Sequence, residues 1–257
     1  GRMASISPLG SSDQGLPDLS RIPTSFLAAE IQRRLKCIRA PEKRLVLIGP
    51  PGAGKGTQAP KIAKEYCICR LATGDMLRAA IASHTSVGEK ARKAMESGKL
   101  VNDELVIDVL KQNLTQPRCR RGFILDGFPR TVTQAKKLDA YLAESGTKLD
   151  GAIELKVPIS TITERISGRL IHSRSGRAYH PVFKPPKKPG IDDVTGEQLI
   201  KRNDDNPDIL RSRFDTFCSM TTPVTEHYAK QNKLVSINGD KPVESVFSDI
   251  CKYINGS

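Results

Sequence analysis

The sequence predicts an α/β fold in which a parallel sheet lies between layers of helices, and three observations lead to that class. Short apolar runs of strand length recur at 44–48, 122–125, 152–155 and 234–237. Between them stand helical stretches, among them 61–65, 132–142, 161–166 and 207–229, and strands that alternate with helices require right-handed crossovers and therefore parallel pairing. The first run is continuously apolar and passes directly into Gly49-Pro-Pro-Gly, the pattern of a strand buried on both faces.

The bulk properties fit one such domain. The chain has 257 residues, 38% of them hydrophobic and 27% charged, within the ordinary globular range. No apolar run approaches the roughly 20 residues that a bilayer-spanning helix needs, so the chain reads as soluble. A net charge of +13 and a pI near 9.6 point to anionic partners: nucleic acid, acidic membrane or phosphorylated small molecules. Only 5% of residues are aromatic and none is Trp, which disfavours a base-stacking nucleic-acid platform. Cys37, Cys67, Cys69, Cys119, Cys218 and Cys251 include a C-x-C but no C-x-x-C pair. They are expected to be reduced thiols, because a chain of this size needs no disulfide framework and no secretory signal is evident.

Taken from the N-terminus, Gly1-Arg2 precede Met3 and read as residues appended to a chain that starts there. Residues 3–24 are rich in Ser, Gly and Pro and are expected to be disordered. From 25 to 39, Leu27, Ile31, Leu35 and Ile38 recur at helical spacing, with Glu30, Arg33, Arg34 and Lys36 largely off that stripe. This amphipathic helix is read first as a strap docked on the core, with membrane contact or targeting as the alternatives. Asp13, Asp18 and Glu30 argue against a transit peptide, and Ala4 after Met3 excludes a myristoylated glycine. Farther on, 171–205 carries Pro181, Pro185, Pro186 and Pro189 with Gly176, Gly190 and Gly196. It is too long for an idle loop and too broken for another crossover, so it is expected to be an inserted lid.

The chemistry begins at Gly49-Pro-Pro-Gly-Ala-Gly-Lys55-Gly56-Thr57, between a buried strand and a helix. Glycines let backbone N–H groups wrap a phosphate, the helix start contributes its positive dipole end, and Lys55 adds a point charge near the β- and γ-phosphates. The Ser or Thr usual directly after the lysine is replaced by Gly56, and the hydroxyl is deferred to Thr57.

In the form G-x-P-G-x-G-K-G-T this loop resembles that of the adenylate kinases. The resemblance continues through Ala72-Thr-Gly-Asp-Met-Leu-Arg78, Gly98-Lys-Leu-Val101, Phe123-Ile-Leu-Asp-Gly-Phe-Pro-Arg-Thr131 with Gln134, and Gly168-Arg-Leu-Ile-His172. It then takes in Ser175-Gly-Arg-Ala-Tyr-His180, Asp192-Asp-Val-Thr-Gly-Glu197, Arg202-Asn-Asp-Asp205 and Arg211-Ser-Arg213. It implies a three-layer P-loop fold with a five-stranded parallel sheet. After an extension over 1–40, the kinase domain over 41–257 would comprise a core (41–72, 102–168, 206–257), a helical AMP-binding insertion (73–101) and a lid (169–205).

The implied reaction is ATP + AMP = 2 ADP with Mg²⁺. An AMP phosphate oxygen is already ionised near pH 7, so no general base is required, and catalysis should rest on in-line positioning and neutralisation of charge. By resemblance, Lys55, Arg130, Arg165, Arg169, Arg202 and Arg213 form the catalytic set. ATP would be held by Gly52, Ala53, Gly54, Lys55, Gly56, Thr57, Arg165, Arg169, Ala178, Tyr179 and Lys241. AMP would be held by Thr73, Arg78, Lys99, Leu100, Val101, Gly127, Phe128, Pro129, Arg130, Gln134, Arg202 and Arg213, with the Gln134 amide on the adenine edge. Asp126, at a strand end, would orient Mg²⁺ through water, with Asp75 as a possible assistant. Many lids of the family carry four zinc-binding cysteines. This one has none, and His172, Ser175, Asp192 or Asp193, and Thr195 would form a polar network without structural zinc, while His180 packs beside Tyr179.

Three other functions compete with this reading: a nucleoside monophosphate kinase with a UMP or CMP acceptor or a GTP donor, a nucleotide-sensing module without transfer, and a basic nucleic-acid-binding protein. The expected setting is a cytoplasmic monomer without nucleic-acid partners, with the mitochondrial intermembrane space as the alternative location.

Overall fold

The computed structural model describes residues 22–97, 99–202 and 205–256. The disorder expected of 3–24 therefore falls, apart from its last three residues, outside the described residues, as do Gly98 and Asn203-Asp204 of the motifs. The described residues divide into two units between Ala40 and Pro41. In the first, α1 (Thr24–Arg39) has no buried residue; Ile31, Leu35 and Ile38 of its apolar stripe are exposed, Ile38 by 70%, and Leu27 is half-buried.

The second unit holds five parallel strands, β1 (Lys43–Ile48), β2 (Cys69–Ala72), β3 (Gly122–Asp126), β4 (Gly151–Lys156) and β7 (Leu234–Asn238), in the order β2-β3-β1-β4-β7. Strand β1 is central, which is why its run is continuously apolar and its last four residues are buried. Successive side chains alternate between faces. Val46, Ile48, Leu71, Phe123 and Leu125 pack under α3 (Thr73–Ala82), α5 (Asp103–Leu114), α6 (Val132–Glu144) and α9 (Thr222–Ala229). Leu45, Leu47, Ile124, Ile153 and Leu155 pack under α2 (Lys55–Tyr66) and α10 (Val243–Gly256). No helix of the described residues is long and apolar enough to cross a membrane.

Three segments insert into or modify this frame. Helices α3 and α4 (Ser86–Glu96) occupy the stretch after β2, and Thr85 caps α4 by accepting from the Gly88 N–H at 3.1 Å. The segment expected to form the lid follows α7 (Ile159–Ser167). It contains the antiparallel pair β5 (Leu170–Ile171) and β6 (Ala178–Tyr179), and isolated bridges Ile171–Ile200, His180–Lys184 and Ile191–Gln198 close its loops. The single helix expected over 207–229 is divided: α8 (Pro207–Thr216) and α9 are joined by a π-helical turn, Phe217–Thr221.

The expectation of reduced thiols is overturned by a disulfide between Cys69, the first residue of β2, and Cys119, just before β3. Their Cα atoms are 4.9 Å apart. The parallel β2–β3 pairing brings them together across 50 residues, which sequence spacing does not reveal. Cys218 and Cys251 are thiols, not disulfides.

Candidate active site

The site forms at the C-terminal ends of β1, β2 and β3, where an open parallel sheet presents its crevice. Gly54, at φ +97°, is the N-cap of α2 and reverses the chain so that the helix starts at Lys55. Nζ of Lys55 donates to the carbonyls of Gly49 and Pro50 at 2.6 and 2.8 Å and folds back over the loop. Burial pushes its pKa down to about 7, an effect that Asp126 opposes and that Arg130, Arg213 and Arg169 reinforce. A phosphate beside it would restore the charge.

Above the loop lies a cavity of about 300 Å³. Among the described residues, its wall carries ten cationic side chains, Lys55, Arg70, Arg78, Arg130, Arg165, Arg169, Lys184, Arg202, Arg213 and Lys241, and only two carboxylates, Asp75 and Asp126. Gly176, Ala178, Tyr179, His180 and Phe183 of the lid complete the wall, so the lid lies over the loop. Gly176 has φ +69°, and a Cβ there would stand 2.9 Å from Oδ2 of Asp75. Only a glycine permits so close an approach.

The arginines are placed by partners that do not come from one element. Nε of Arg130 donates to the Gly127 carbonyl at 2.8 Å, its backbone N–H donates to Oε1 of Gln134 at 2.7 Å, and its carbonyl accepts from Thr221 of the π-helical turn at 3.0 Å. Arg169 donates from Nε to Asp205 at 2.7 Å, and Arg213 lies 3.7 Å from the same carboxylate. Arg165 donates to the Gly239 carbonyl at 3.1 Å and lies over the Phe183 ring at 5.5 Å, and both it and Lys241 line the cavity. Phe183 was not singled out in the sequence, where one aromatic residue in a Pro-rich segment carries no signal.

Thr73, Arg78, Lys99, Leu100, Val101, Gly127, Arg130, Gln134 and Arg213 come together around a second cavity of about 50 Å³, with Met95. Phe128 lines neither cavity; its side chain is 1% exposed within the core, and only the neighbouring Pro129, joined by a cis peptide, reaches the main cavity. The Gln134 amide, assigned to the adenine edge, is engaged at both ends, since its nitrogen donates to Asp103 at 2.6 Å. Asp103, missed in the sequence, also accepts from Thr131 at 3.0 Å.

Asp75 stands among arginines. Its carboxylate lies 3.1 Å from Arg70 and 3.5 Å from Arg202 and is hydrogen-bonded by Arg78. Burial would raise its pKa, yet Arg78, Arg70 and Arg202 outweigh that and hold it below the usual carboxylate range.

In the lid the polar network resolves to Asp192, 1% exposed. It accepts from Arg177 at 2.6 and 2.8 Å, from the Tyr179 hydroxyl at 2.9 Å and from the hydroxyl and N–H of Thr195 at 2.9 and 2.8 Å. Chiefly through Arg177, and against the effect of burial, its pKa is held well below the ordinary range. His172 bonds Ser175 at 2.7 Å and also meets Glu197. Asp193 instead accepts the Lys187 N–H at 2.7 Å. His180, expected beside Tyr179, sets its ring against Phe183, with centroids 4.6 Å apart and planes tilted by 46°, and its Nδ1 accepts from the N–H groups of Val182 and Phe183.

A family model described as adenylate kinase matches residues 47–233. The chain belongs to the adenylate kinase family. It is 52% identical over 238 residues to adenylate kinase 4 of Arabidopsis thaliana, covering 93% of this chain and 97% of the relative. Adenylate kinase 4 of Oryza sativa subsp. japonica is 49% identical over 93% of this chain and 98% of its own length. Adenylate kinase 2 of Schistosoma mansoni is 51% identical over 82% and 88%. The enzyme is thus a phosphotransferase of adenylate kinase type, and the five-stranded parallel sheet is the fold expected of the family.

Proposed function

We propose that the γ-phosphoryl group of ATP, bound on the Gly49–Thr57 loop beneath the lid, passes to AMP bound in the cavity lined by Thr73 and Gln134. The observation that carries this is the excess of cationic over acidic groups where the two cavities adjoin, around Arg78, Arg130 and Arg213. Lys55 and Arg169 act on the donor phosphates. Arg78, Arg130, Arg202 and Arg213 hold the acceptor phosphate and the transferring group. In-line positioning and charge neutralisation then suffice, with no base to accept a proton. The lid excludes water, the competing acceptor.

The residues fit Mg²⁺. Asp126, 12% exposed, and Thr57 both line the main cavity, and Oδ2 of Asp126 lies 3.9 Å from where a Cβ on Gly56 would stand, leaving room at the start of α2. Hard oxygen donors in small number suit an ion that keeps most of its waters. Bound there, Mg²⁺ would neutralise charge on the β- and γ-phosphates. Asp75, surrounded by arginines, is assigned as their counter-ion and not as a metal ligand. Gln134 can meet adenine only by releasing Asp103, so its first role is to orient the Arg130 backbone.

A coupled assay with AMP, UMP, CMP and GMP as acceptors and ATP or GTP as donor tests the reading. AMP with ATP should turn over fastest, and faster turnover of UMP would overturn the choice of acceptor. We further propose a monomer. For location, the Cys69–Cys119 disulfide supports a compartment less reducing than cytosol, and so favours the intermembrane-space alternative over cytoplasm. Imaging of the tagged natural chain together with thiol trapping in cells would decide.

A further inference from the structure

Arg70 has no part in the roles assigned above, and it sits where they meet. It is the second residue of β2, the one position of that strand that is not buried. Its Nη2 lies 3.1 Å from Oδ2 of Asp75 and 3.2 Å from Oδ2 of Asp126, so one nitrogen is shared by two carboxylates on different elements. Asp126 ends β3, and Asp75 lies in the first turn of α3. Asp75 in turn pairs with Arg78 and Arg202. The chain of contacts therefore runs from the arginines assigned to the acceptor phosphate, through Asp75 and Arg70, to the carboxylate assigned to the metal. Nε of Arg70 is buried without a hydrogen-bond partner, an arrangement that costs free energy, so the side chain is held for its Nη2 contacts at the expense of its own satisfaction.

We infer that Arg70 is a positioning residue that sets the charge on both sides of the transfer site: it restrains Asp126 from over-binding the metal and restrains Asp75 from neutralising the acceptor arginines. This rests on the assignments of Arg78, Arg202 and Asp126 made above. Coulomb's law gives the signs. Removing a cation about 3 Å from Asp126 strengthens the attraction of that carboxylate for a divalent ion. Removing it from Asp75 leaves that carboxylate to be balanced by Arg78 and Arg202 alone, which weakens their hold on a phosphate. Loss of Arg70 should therefore move metal and acceptor affinity in opposite directions, which a loss of local packing would not do.

The test is calorimetric and needs no turnover. In Arg70→Gln, the Kd for AMP should rise about tenfold, the equivalent of about 1.4 kcal/mol. Over the same substitution, the ratio of Kd for a non-hydrolysable ATP analogue in EDTA to its Kd in Mg²⁺ should rise severalfold. Arg70→Gln combined with Asp75→Asn restores the local charge balance and should return AMP affinity to within about threefold of the natural enzyme, a coupling that a double-mutant cycle isolates. Arg70→Lys keeps the charge without the fork and should stay near the natural AMP affinity, which also guards against a Gln variant that fails to fold. Equal losses in Arg70→Lys and Arg70→Gln, no rescue by Asp75→Asn, or a metal ratio that falls or stays constant would each overturn the inference. AMP binding by the natural enzyme and its loss in Arg78→Ala test the underlying assignment separately.

Discussion

The lid network and the cleft are both built from arginine and carboxylate, and they use that pair in opposite ways. In the lid, Asp192 is saturated by Arg177, Tyr179 and Thr195, so the charges are satisfied within one segment. In the cleft, ten cations among the described residues line the main cavity beside only Asp75 and Asp126, and although Asp205 engages Arg169 and Arg213, a cationic surplus is left for phosphate. A satisfied buried network specifies one arrangement, whereas an unbalanced one is a binding site. The lid should therefore behave as a preformed body, and the cleft as the place where electrostatics changes when nucleotide arrives.

The largest effect should come from breaking the cleft. Lys55→Met is expected to lower kcat by about 10²–10³-fold, the scale of losing one pre-placed charge-stabilising donor, while the lid network stays intact by hydrogen exchange. Next, Asp192→Asn should loosen the lid without touching the phosphate loop. KM for ATP should rise by about tenfold, with a smaller change for AMP, a split that separates loss of binding from loss of chemistry. Equal effects on both substrates would mean that the two regions are not independent.

A smaller effect sharpens the comparison through protons. The pKa of Lys55 lies near 7, below its ordinary 10.5. Phosphate bound beside it should raise that value, so ATP binding at pH 8 should take up close to one proton (~0.9). Calorimetry in buffers of different ionisation enthalpy reads this uptake, and Lys55→Met should abolish it. The same shift fixes the sign for stability. Between pH 7 and 10.5 the unfolded chain holds a proton that the folded one has released, so stability gained from Lys55 increases as pH rises through that window and is absent below it.

How much of this was legible in the sequence follows from how local each feature is. The glycine turn before α2, the central strand and the break in the alternation of strands and helices after α7 were readable because glycine spacing, apolar continuity and Pro-Gly content are properties of contiguous residues. Strand β2 escaped a direct reading: it is four residues long, and Arg70 interrupts its apolar pattern. Arg70 itself was passed over for the same reason, as was Asp103, whose partners Thr131 and Gln134 lie 28 and 31 residues away. The Cys69–Cys119 disulfide depends on sheet register, and the contact of His180 with Phe183 on the turn closed by the His180–Lys184 bridge, neither of which the residue pattern encodes. For the lid network, position along the chain named Asp192 and Asp193 together. Only the direction of the side chains separates the buried acceptor from its neighbour.

Hydrogen exchange of the full chain, with and without a non-hydrolysable ATP analogue plus AMP, measures the contrast most directly. Backbone amides within 172–197 should be well protected in both states, and the main gain in protection should fall at 50–58, 73–78 and 205–213. Lid amides that exchange freely until nucleotide is added would contradict a preformed lid and would mean that the polar network is assembled by the substrate.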